Sequence, residues 1–136
     1  MYSVSAPRPH RSLRLATAAL ALVSLAACNP FAGPAAGARL YDQSCAGCHG
    51  PGATGGPGGP DLTGLAAARA GGFPRAEVLN RLDGYGRGLT RHEATMPDLS
   101  YLMTGRLMHV DMGRGASRMM PERVVALAAY LESIQR

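Results

Sequence analysis

Cys45-Ala46-Gly47-Cys48-His49 sets two thiols three positions apart and an imidazole directly after the second. That order suits covalent attachment of a haem. Each thiol adds across one vinyl group of the macrocycle, and the adjacent imidazole is delivered to the iron as an axial ligand. Other uses of a Cys-x-x-Cys pair ask for more than the chain offers. A zinc site wants two further ligands at matching spacing, and there is no second cysteine pair. A thioredoxin-like redox pair wants a βαβ setting, which the sequence lacks. The third cysteine, Cys28, has a separate role proposed below, so with Cys45 and Cys48 assigned to the haem no disulfide is left to assign.

The elements that must carry this motif come from a short chain. Its 136 residues allow one domain with some length to spare for a targeting segment. Hydrophobic residues make up 46%, but many are alanine, with two Phe and no Trp, so the side chains alone would make a thin core. A buried haem supplies the missing apolar surface. The net charge of +5 is unevenly spread: Arg8, Arg11 and Arg14 precede residue 28, leaving 11 Arg against 9 acids, or +2, in the remainder. That is too mild a balance for nucleic-acid binding. The chain has no lysine, so any basic docking surface must be built from arginine.

Residues 1–14 are basic and irregular, and residues 15–27 (LATAALALVSLAA) have the proportions of a signal-peptide apolar region, too short to span a bilayer comfortably. The stretch ends in Leu25-Ala26-Ala27-Cys28, which resembles the lipobox of bacterial lipoproteins. The resemblance implies a lipoprotein signal peptide over residues 1–27, thioether lipidation of Cys28, cleavage before it and acylation of the new amino terminus. The competing reading is an ordinary secretory signal with Cys28 an incidental thiol. Residues 28–36 form the expected flexible tether, rich in Pro, Gly and Ala and without periodicity.

Residues 37–48 read as a short helix leading into the motif, with Leu40, Tyr41 and Ser44 on one face and Gly37 one turn before Tyr41. Residues 50–60 hold six Gly and three Pro, by composition a flexible loop. A second helix is expected from Pro74, with Glu77 in its first turn and Val78, Leu79 and Leu82 as apolar members, stopping at Asp83-Gly84. Tyr85, Arg87 and Arg91 then follow in a loop as candidate partners of a haem propionate, or as solvated surface groups. A final helix with Pro121 and Glu122 in its first turn shows Val124, Leu127, Ala128, Leu131 and Ile134 on one face. Between them, residues 100–119 alternate loosely around Leu107-Met108-His109-Val110-Asp111, as a short strand or hairpin would. The methionines of this stretch suit loop packing better than a Cu(I) site.

From residue 37 to the end the chain resembles the small monohaem cytochromes c of class I. The resemblance is carried by Cys45-Ala46-Gly47-Cys48-His49, by Gly37 four residues before Tyr41, and by Leu127-Ala128-Ala129-Tyr130-Leu131 in the closing helix. It implies an all-α cytochrome c domain over residues 37–136, its helices packed around one covalent haem c, with an inserted loop or short hairpin before the last helix. It implies that the first and last helices cross at Gly37. It also implies that Pro60, with Pro57 as competitor, offers its carbonyl to the other nitrogen of His49. Met96, directly before Pro97, matches the distal iron ligand, with His92, Met103, Met108, His109 and Met120 as alternatives. The twenty residues 100–119 depart from the compact family pattern and leave the distal ligand the least determined part.

Iron held by His49 and Met96 keeps no open position for substrate, so the expected function is one-electron transfer and not catalysis. The alternatives are a gas or peroxide sensor or catalyst with a labile distal position, or a cytochrome subunit of a larger oxidoreductase. Covalent haem attachment and the signal segment together place the chain on the periplasmic side of a bacterial membrane, lipid-anchored, with membrane or periplasmic redox enzymes as donor and acceptor.

Overall fold

The computed structural model describes residues 33–70, 72–88 and 96–136. The signal segment, Cys28, residues 29–32, Arg91 and His92 lie outside the described residues.

The first helix, α1, spans Pro34–Ser44. It takes three residues from the expected tether, because Pro34 at its first turn is preset for helical φ and Ala36 is buried. It does not run unbroken to Cys48. Cys45 caps it, and a separate turn, α2, covers Ala46–His49. A 3-10 turn, Pro51–Ala53, follows. The next helix, α3, spans Arg75–Gly86, two residues beyond the expected stop. Gly84 is buried inside it, and the Asp83 carboxylate receives Arg87 at 2.8 Å, bracing the last turn. Tyr85 is therefore a helix residue and not a loop residue.

After the 3-10 turn Ser100–Met103, strands β1 (Leu107–Gly113) and β2 (Ala116–Pro121) pair antiparallel, so the domain is mostly helical but not purely so. The register sets Met108 opposite Met120 and His109 opposite Met119. Val110 is buried on the inner face while Leu107, His109 and Asp111 face outward, the period-two pattern of a half-buried strand. The final helix, α4, covers Glu122–Ser133, with Pro121 as its cap. Met120 stands in β2, completely buried, directly before that cap.

The core lies along α4, whose Val124, Val125, Ala126, Leu127, Ala128 and Leu131 are all buried. That is more of the helix circumference than a single stripe, since α1 packs on one side and α3 with the hairpin on the other. At the α1–α4 crossing, a Cβ on Gly37 would overlap the Ala126 carbonyl and come within 2.7 Å of the Tyr130 Cβ. The backbones approach this closely only because that side chain is missing. Tyr41, one turn on, is fully buried and packs against Tyr130 with ring centroids 5.2 Å apart.

Candidate functional site

Three elements converge on the Cys-x-x-Cys-His segment. The break at Cys45 turns α2 so that the Cys45, Cys48 and His49 side chains all line one cleft, facing Leu82 of α3 and Leu127 and Leu131 of α4. Cys45 is half-buried and Cys48 exposed, and both are free thiols. Burial, with the neighbouring Cys48 second, pushes the Cys45 thiol up to about 11, so it stays protonated at neutral pH.

The glycine-rich stretch after the motif is pinned rather than loose. The Gly55 amide donates to the His49 carbonyl at 2.8 Å, Gly56 and Gly59 bridge one another, and the Tyr41 hydroxyl donates to the Gly50 carbonyl at 2.8 Å. Burial above all raises the Tyr41 phenol to about 12. The glycines serve proximity. A Cβ on Gly59 would stand 2.6 Å from His49 Nδ1, and one on Gly58 would stand 3.0 Å from Cys48 Sγ. With nothing in those places, the chain folds flat against the imidazole and brings the Pro60 carbonyl to 2.9 Å from Nδ1. In the tautomer that donates from Nδ1, Nε2 is left free as a metal ligand. Pro57 is exposed and makes no such contact.

The segment after Pro60 holds it in place. Asp61 accepts from the Thr63 amide at 2.7 Å and from its hydroxyl at 2.6 Å, and these bonds keep the carboxyl below the usual carboxylate range. Gln135, just past α4, accepts from the Ala66 amide and donates to the Leu62 and Leu131 carbonyls. The ties from Gln135 to the loop were not legible in the local sequence, because Gln135 lies about seventy positions from the residues it holds.

His49 and Met96 line both of two adjoining clefts, of about 60 and 390 Å³. The larger of the two has the size of a small-molecule site. Leu62, Leu82 and Leu131 are common to both walls. Of the other candidate ligands, Met120 is sealed in β2 and Met103 packs where a Cβ on Gly86 would meet its Sδ at 3.0 Å. Met108 and His109 line a different groove, beside the hairpin. Arg87 is committed to Asp83.

Two thiols at the rim, an oriented imidazole, an apolar slot and a thioether in the same walls form a donor set that fits a covalent haem. A family model described as cytochrome c matches residues 34–135. The chain belongs to the cytochrome c family. No curated protein and no solved structure matches it. Cytochromes c carry a covalently attached haem c and exchange electrons with redox partners, so the cofactor and the electron-carrier class follow from membership. The match begins at Pro34, where α1 begins.

Proposed function

We propose that this cytochrome c is a lipid-anchored one-electron carrier on the periplasmic side of a bacterial membrane, with His49 and Met96 as axial ligands of its single haem. The observation that carries the reading is that His49 and Met96 line the same two apolar clefts while the Pro60 carbonyl sits 2.9 Å from His49 Nδ1. Cys45 and Cys48 hold the haem as thioethers. The bond to Pro60 fixes the imidazole plane and makes Nε2 a stronger donor. The Met96 thioether is a soft ligand with no proton to lose, and it favours the ferrous state. Leu62, Leu82, Leu99 and Leu131 keep water from the slot, which limits solvent reorganisation as charge changes. When bound, the haem supplies a one-electron ferric/ferrous couple. Were His49 and Met96 both to hold the iron, it would keep no open position for a substrate, so the site would pass single electrons between redox proteins.

Spectroscopy tests the ligand assignment. The oxidised protein is expected to show the weak long-wavelength sulfur-to-iron charge-transfer band, and the reduced protein to resist carbon monoxide. Met96→Ala should abolish the band and open the iron to carbon monoxide, whereas Met120→Ala should leave both properties intact. Rapid carbon monoxide binding by the unmodified protein would instead support an open distal site, as in a sensor or peroxide catalyst. The anchor is tested separately. Cys28→Ser should move the haem protein from the membrane fraction to the soluble fraction, since stable attachment needs the acyl chains on that residue. Retention in the membrane fraction would assign the anchoring elsewhere.

A further inference from the structure

Without lysine, the cations near the slot are all guanidinium groups, and their partners can be followed one by one. Arg69, Arg75, Arg87, Arg106 and Arg118 each face a carboxylate, and Arg123 donates to the Tyr101 carbonyl at 3.1 Å. Arg81 is different. It lines the larger of the two clefts and has no hydrogen-bond or ion-pair partner among the described residues. It shares one face of α3 with Val78, Leu82 and Tyr85, which line the same cleft at the three- and four-residue spacing of neighbouring helical turns. The remaining wall is apolar, apart from His49 and the Pro60 segment. Among the described residues, one cation therefore stands in the wall of an otherwise uncharged slot. A guanidinium is best satisfied there by a planar carboxylate that accepts two parallel N–H bonds.

We propose that Arg81 is the binding group for a haem propionate. A haem is an apolar plate with two carboxylates on one edge, and this cleft offers an apolar slot whose one cation has no partner among the described residues. The assignment rests on the reading that the haem occupies the clefts lined by His49 and Met96. It gives α3 a role beyond covering the macrocycle: Val78 and Leu82 pack the plate while Arg81 fixes its rotation in the slot. It also places a positive charge near the iron, which favours the ferrous state. Arg87, a candidate for this role from its sequence position, donates from Nε to the buried Asp83 and lines neither cleft.

The test uses the haem-loaded full-length protein beside Arg81→Gln and Arg81→Lys, followed by resonance Raman spectroscopy and by potentiometry at neutral pH. In Arg81→Gln the propionate bending bands should shift and the reduction potential should fall, with Arg81→Lys lying between that variant and the unmodified protein. Bands that stay unmoved in both variants overturn the assignment even if the potential falls, because loss of any charge near the iron lowers the potential without a contact. The Arg81 side chain is exposed, so the substitutions should not disturb folding. If Arg81→Gln yields no haem-loaded protein, the Raman bands of Arg81→Lys decide alone. An unmodified protein without covalent haem would overturn the underlying reading instead, and would be recognised at once by the missing haem absorption.

Discussion

At the scale of single residues, the site works by the space its neighbours leave and the groups they hold. Gly58 and Gly59 leave room beside Cys48 and His49, and Pro60 then occupies the one place from which a carbonyl can orient the imidazole. Tyr41 does the holding. It is fully buried, lines the cleft, and ties the Gly50 carbonyl at the end of the motif. Its phenol, raised by burial to about 12, binds its proton more tightly in the folded protein than in the unfolded chain, where the value is about 10. The resulting stabilisation is fully present below about pH 10 and is lost as pH rises from there through about 12. Tyr41→Phe should therefore flatten this part of the alkaline unfolding curve. At neutral pH it should also cost about 1–2 kcal/mol, the worth of the lost bond and the unpaired carbonyl. Chemical denaturation of the haem-loaded protein at a series of pH values measures both. An alkaline limb identical in the two proteins would mean that Tyr41 does not carry the titration.

Between elements, the decisive contact is the crossing of α1 and α4 at Gly37. Any side chain there meets backbone, not a flexible tip, so neither helix can yield locally. Gly37→Val should destabilise the protein by about 1–3 kcal/mol or more, the range typical of overpacking, read as a lower denaturant midpoint. Because α1 carries Tyr41 and leads into Cys45, the yield of covalent haem should fall with it. This crossing was expected from the resemblance to cytochromes c carried by Gly37, Tyr41 and the closing helix, whereas the Cys-x-x-Cys-His segment and the apolar face of α4 are local patterns legible by themselves. Contacts between distant positions were not legible. Arg118 of β2 reaches Asn80 at 3.0 Å and Asp83 at 3.4 Å, docking the hairpin on α3. Arg87 serves the same carboxylate, so a side chain that looks free in the sequence is spent on structure. The extension of α3 past Gly84 has the same origin, since helix propensity alone would end it at a glycine and tertiary packing overrides that preference. Residue 81 drew no notice in the sequence for the opposite reason: an arginine on a helix reads as solvated until the helix is seen to face a cleft.

For the molecule as a whole, the charge pattern decides how it meets its partners. Beyond the first 27 residues the chain carries 11 Arg and 9 acids, a balance of +2. Several of the described arginines are also neutralised within the fold, by Glu77, Asp83, Glu122 and Glu132. With Arg81 taken up by a propionate, little uncompensated positive charge would remain around the slot among the described residues. Electron exchange should then depend weakly on long-range attraction and mainly on apolar contact around Cys48 and Met96-Pro97. Raising the ionic strength from about 0.01 to 0.1 M shortens the screening length from about 30 to about 10 Å. Over that range the bimolecular rate with a small anionic oxidant should change by less than about tenfold, the low end of electrostatic steering. Stopped-flow oxidation of the reduced protein measures this. A steeper fall would show arginines left unpaired around the haem edge. Repeating the series with Arg81→Gln locates them: a slope that flattens in this variant would place the Arg81 charge in the path of the oxidant and not against the cofactor.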